Sequence, residues 1–278
     1  MKCLQEPTLR RAVPRRWSSL GAATLAGLVV VVPVAGADTA PFGTAAAPVQ
    51  AGAGAAGEGG EAGEAGLAAA AEAENGYLLQ LALMAAHLRV GAAIDAAGGR
   101  EAALEHVSNP HRVFYDDLEA EMAEAGDPGI AVDLAQALVM MERDAPAADV
   151  APLFEVMQER LRLAAGGMPP AARLDVAMQL LRTAANEYDF AVTDGTLDDL
   201  EEYQDALGFA ETARDIAAGV ASSDDPVVAN AGAKALAAIA ATDLAFAGVV
   251  PGEGALAGDG SLLMGAAARV ELAALALR

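Results

Sequence analysis

Apolar residues recur at spacings of three and four along most of this chain, and glycine, proline or Asp-Gly steps interrupt them. Leu78, Leu81, Ala85, Leu88 and Ala92 form one such stripe. That period belongs to a helix with one buried face, whereas a half-buried strand would alternate. The same reading predicts helices at about 67–97, 100–107, 109–125, 130–143, 150–165, 170–192, 198–221, 226–247 and 262–277. Asn109 followed by Pro110 is the usual order of an N-cap and a first helical residue, so a helix break is expected there. Asp194-Gly195 and the stretch from Gly166-Gly167 to Pro169-Pro170 are turn signals, and Gly252 to Gly260 is a loose connection. Alanine, the best helix former, supplies much of the 54% hydrophobic content, against only 4% aromatic. The fold class that follows is all-α: an antiparallel bundle of about seven helices.

The bundle is expected to occupy residues 67–278. Residues 1–37 resemble an export signal, with Lys2, Arg10, Arg11, Arg15 and Arg16 before an apolar run from Leu20 to Val34. Ala35-Gly36-Ala37 offers a small-residue cleavage site. Trp17-Ser18-Ser19 after the second Arg pair fits a twin-arginine signal poorly, and an uncleaved anchor is the alternative. Residues 38–66, with GEGGEAGEAG, have too little to bury and read as a disordered linker. No segment after the signal is expected to cross a bilayer. The predicted location is periplasmic or otherwise exported.

The net charge is −22, and loss of residues 1–37 would remove five basic residues and one acid, making it four charges more negative. Such a chain is no ligand for nucleic acid, and it raises the local cation concentration. Cys3 is the single cysteine and lies in the predicted signal. No disulfide partner and no thiolate ligand are expected in the mature chain.

The chain has three histidines. His106 and His111 lie in EHVSNPHRVFYDDLEAEM, and His87 lies on the preceding helix. Histidine and carboxylate converging from two helices suit a metal that binds nitrogen and oxygen. His87, His106, His111, Tyr115 and Glu119 are the candidate ligands here. His87 is expected to come level with Glu119 or Met122. His106 and His111 lie nearer the expected turn, forming a separate site or none. The structural alternative is a satisfied core His87, a His106 at a helix C-terminus and a His111 on a first-turn surface. No HExxH motif is present, and Met84 and Met122, conceivable copper ligands, are at core spacing.

A second acidic stretch, NEYDFAVTDGTLDDLEEYQDALGF, reads as a helix, an Asp-Gly turn and a returning helix. Glu187 and Tyr188 should face Tyr203 and Asp205 across it, and with Glu202 these are the candidate ligands for a hard or borderline cation. The alternative is a solvated acidic face with two tyrosines packed at the interface. Phe190 to Glu201 partly mimics a calcium loop, but Phe190 and Val192 at the first and third places cannot coordinate calcium, which argues against an EF-hand. Glu187, Tyr188, Ala191, Val192, Asp194, Gly195, Glu202, Tyr203, Gln204, Asp205 and Phe209 together form a pattern. It resembles the helical extracytoplasmic domain carried by, or encoded beside, bacterial high-affinity iron permeases of the oxidase-dependent type. The resemblance implies a metal ion, iron before copper, and a membrane iron permease or another exported metal-handling protein as partner. The permease's Arg-Glu-Gly-Leu-Glu motif is absent, which implies an accessory rather than the permease.

These readings converge on an exported accessory protein that binds or delivers a metal ion, iron first, in uptake. The competing reading is a metal-free helical interaction module with an acidic docking face. No catalysis is expected: the mature chain lacks cysteine, no serine sits in a nucleophile elbow, and no Glu-x-x-His pair is present.

Overall fold

The computed structural model describes residues 75–278 except 114, 125–128, 253 and 255, and the side chains of 109–117 also lie outside the described residues. The expected signal, the linker and the boundary at 66/67 fall outside them. Nine α-helices follow one another: α1 Gly76–Ala96, α2 Arg100–Val113, α3 Tyr115–Glu124, α4 Ala131–Glu142 and α5 Ala147–Gly166. They continue as α6 Pro170–Ala191, α7 Leu200–Ala221, α8 Pro226–Ile239 and α9 Gly260–Leu275, with a 3-10 turn at Ala240–Leu244, the nine being counted among the described residues. The all-α expectation holds. The two-residue strands β1 Val192–Thr193 and β2 Thr196–Leu197 pair antiparallel around Asp194 and Gly195, whose φ values of 51° and 76° suit a tight hairpin turn.

Local chemistry explains the helix starts of the second half. The Asp199 carboxylate accepts from the Glu201 and Glu202 amides at 3.0 and 3.4 Å and starts α7. Asp225 does the same for α8 ahead of Pro226, and Asp259 for α9. The expected break at Asn109-Pro110 is not where the helix ends. α2 runs through both residues to Val113. Pro110 removes one backbone bond at a cost of about 3 kcal/mol. The turns before it are docked on α1, where Ala103 and Val107 are fully buried.

α1 is the wall shared by two cores. Leu78, Leu79, Ala82, Leu83 and Ala86 join a core built with α6, α7, α8 and α9. Leu81, Met84, Leu88, Val90 and Ile94 join a second core with residues of α2 to α5. A helix apolar all round must be covered all round. The expectation that no later segment could cross a membrane needs correction. Gly76–Ala96 and Pro226–Leu244 are both long and apolar enough by length and composition. The first is 67% buried inside the bundle and carries His87, Arg89 and Asp95; the second is 33% buried. Scattered alanines and single polar residues hid both from a reading that sought an unbroken apolar run.

Arg100 ties the α1–α2 turn to the α4–α5 connection. It pairs with Asp95 and donates to the Met141 and Ala145 carbonyls at 2.9 and 2.7 Å. Buried Asp95 is thereby neutralised.

Candidate metal centre

Two glycines set the distances between the helices that carry the site. A Cβ on Gly91 of α1 would lie 2.6 Å from Val107 and 3.7 Å from the Cβ of His106. A Cβ on Gly208 of α7 would lie 3.0 Å from the Ala86 carbonyl. α2 and α7 therefore both approach α1 closely, α2 at Gly91, one turn beyond His87, and α7 at Ala86, the residue before it.

His87, His106 and Asp205 meet at that crossing, and one ligand atom from each lies within 4.8 Å of the others. His87 Nδ1 is 3.3 Å and His106 Nδ1 is 3.0 Å from the same Asp205 oxygen, Oδ1. Both histidines are buried, and the Asp205 side chain is 13% exposed. The imidazole rings lie 6.5 Å apart, and Phe209 stands edge-on to His87 at 5.6 Å.

Gln204 decides which nitrogen of His106 carries the lone pair. Its Nε2 donates to the Val249 carbonyl at 3.0 Å, and a carbonyl can only accept. Its Oε1 therefore faces His106 Nε2, 3.0 Å away, and accepts an N–H there. Neutral His106 then points its Nδ1 lone pair at the Asp205 carboxylate. Two acceptors in that position repel unless a proton or another cation lies between them. Burial pulls the His106 pKa down, but the hydrogen bond and charge of Asp205 more than reverse this, and the net shift is upward from 6.5. Burial pushes the Asp205 carboxyl up, yet the two histidines hold it well below the usual carboxylate range.

Carboxylates edge the site. Burial raises Glu201, and the charges of Asp205, Glu105 and Asp199 add to it against the pull of His106. Glu202 is pushed up to about 7, chiefly by burial, while a hydrogen bond from Glu187 works the other way. The α6–α7 pairing thus brings Glu187 and Glu202 together as a proton-sharing pair.

The tyrosines of the same hairpin are engaged elsewhere. Tyr188 donates to the Ala245 carbonyl at 2.8 Å. Tyr203 accepts from the Ala247 amide at 2.8 Å and donates to the Gly248 carbonyl at 3.1 Å. Their rings lie 6.0 Å apart and both meet Phe246 edge-on, at 5.5 and 5.6 Å. Burial first, then the charge of Tyr203, lifts the Tyr188 phenol to about 12. These phenols tether the 245–249 segment that also holds Gln204.

The spacing expected from sequence differs from the one observed. His106 is not remote from His87 but shares a carboxylate with it, because α2 packs on α1 with His106 beside Gly91, one turn beyond His87. Glu119 is exposed, and His87 is buried against Asp205 rather than Glu119. Met84 and Met122 are core residues. The His111 and Tyr115 side chains lie outside the described residues. Gln204 was not among the candidate ligands, although its place beside Asp205 in EYQD was the available signal.

No curated protein and no solved structure matches the chain. A family model does match, over residues 168–245, the segment running from just before α6 to the end of the 3-10 turn. It contributes Asp205 and Gln204 to the crossing, while His87 and His106 lie outside it. The model is that of the iron permease-associated 4-helix bundle domain, to which this segment of the chain is similar.

Proposed function

We propose that the chain is an exported accessory protein that binds a metal ion, iron first, at His87, His106 and Asp205 and delivers it to an iron permease. The observation that carries this reading is the Gln204 clamp. It turns the Nδ1 lone pair of His106 toward a carboxylate that His87 also faces. Two imidazoles and one carboxylate leave coordination positions open, an arrangement suited to ferrous iron, and a cation there removes the repulsion between the facing acceptors. The hydrogen bond from His106 Nε2 to Gln204 is the outer partner that a ligating imidazole needs. Glu201 and Glu202 at the rim add negative potential for capture, with the −22 of the whole chain behind them. Iron is preferred over copper because the domain match is to iron permease systems. Iron is cargo in this reading, and no catalytic step is assigned.

The test is elemental analysis after loading with Fe(II), Cu(II) or Zn(II) and exhaustive dialysis. Wild type should retain about one ion, and the H87A/H106A variant none. Wild type emerging empty with all three metals would sink the proposal. Under the competing reading, a metal-free module docking through its acidic surface, permease binding would be salt-sensitive and unchanged in H87A/H106A.

A further inference from the structure

A trough of about 830 Å³ lies along α1 between α5 and α7. None of His87, His106 and Asp205 lines it. From Leu78 to Ala92 it follows about 21 Å of α1. Its floor is apolar, formed by Leu78, Leu81, Leu88, Phe154 and Leu161.

Three hydrogen-bond donors in this lining lack acceptors among the described residues. Thr212 is 4% exposed, and its hydroxyl has no hydrogen-bond partner. Arg89 pairs with Asp215 through Nη2, but its buried Nε–H has no acceptor. The half-buried Arg173 side chain has no hydrogen bond or ion pair among the described residues, and its Nη2 fills the space in front of Gly219, where a Cβ would come to 2.3 Å. Burial, with the like charge of Arg162 adding to it, depresses the Arg173 pKa. Arg162 itself is held by Glu159.

The Thr212 hydroxyl and Arg89 Nε–H are buried donors without acceptors, which is costly, and the half-buried Arg173 guanidinium adds a charge partly withdrawn from water. The missing component is an acceptor that carries negative charge. A small anion would leave the leucine floor facing water, and a neutral lipid would leave the donors unmet. The volume falls within the range of small-molecule sites.

We propose that this trough is a second ligand site, for a long-chain carboxylate whose head group meets Arg173 and whose tail lies along the leucine floor. The site is independent of the metal centre.

Laurate titrated into the full chain by calorimetry tests it, with dodecyltrimethylammonium as the probe of similar tail and opposite charge. Laurate should bind wild type, and R173Q should weaken it about tenfold or more, the loss expected for one charge-assisted contact. T212V, which conserves shape, should weaken it by a smaller factor, and H87A/H106A should bind laurate like wild type. Circular dichroism confirms that each variant is folded. Three outcomes overturn the proposal: no binding of laurate, binding unchanged in folded R173Q and T212V, or equal binding of the cationic probe.

Discussion

The two halves of the molecule contribute differently to the candidate metal centre. α6 to α9 form a core of their own with α1, and most of the family-matched segment lies there. They supply Asp205 and Gln204. The helices α1 and α2 supply the histidines, on the side where no family model matches. Neither half holds the three ligand atoms. The comparison teaches that a recognisable domain can carry the carboxylate of a site whose nitrogen donors come from the wall it packs against.

The largest expected effect comes from the atom that both halves share. Asp205→Ala removes the oxygen common to both imidazoles, and retained metal should fall from about one equivalent to none by elemental analysis. Next is the spacing between the halves. Gly208→Val pushes α7 off the Ala86 carbonyl, and overpacking of this kind costs about 1–3 kcal/mol, readable in urea unfolding. Metal affinity should fall with it. Retention of full affinity would show that the crossing is not what builds the centre.

Gln204→Leu separates ligand placement from ligand identity. It leaves His106 Nε2–H and the Val249 carbonyl unpaired, and loss of such an outer partner typically lowers metal affinity about 10- to 100-fold. Metal content at saturation should be unchanged.

The pH dependence sharpens the same division. Glu202 has a folded pKa of about 7, above its usual 4.5. Its contribution is fully present below about 4.5 and is lost as pH rises through about 7. His106 is also raised, from 6.5, so its contribution is lost in the same direction, as pH climbs past that value. The metal-free protein should therefore melt at lower temperature as pH rises across neutrality, and Glu202→Gln should flatten part of that slope. A melting temperature that rises over this range would contradict both shifts. Bound metal should reverse the trend, because it replaces the proton between His106 and Asp205. The smallest effect is expected at Glu119→Ala, an exposed position, with a stability change within about 0.5 kcal/mol and metal retention as in wild type.

Helical periodicity and breakers were enough to place α4 to α7 within a few residues, since each of these helices is bounded by its own Pro, Gly or Asp signal. The hairpin at Asp194-Gly195 was legible for the same reason. Asn109-Pro110 misled because a cap signal is local, and the helix runs through both residues to Val113. The facing of Tyr188 with Tyr203 could be read from equal distances to one turn, whereas Asp205, expected to face Glu187 and Tyr188, faces His87 and His106 instead. The meeting of His106 with Asp205 could not, because 98 positions separate His106 from Gln204, the residue beside Asp205.

Residue order alone thus settled the helical class, the acidic charge and the identity of the second hairpin, because periodicity, charge and turn chemistry act over a few residues. Which histidine nitrogen faces which carboxylate was left to the packing. It depends on how closely Gly91 and Gly208 let three helices approach, and on a carbonyl at Val249 that orients one amide. Those distances exist only once the two halves close on α1.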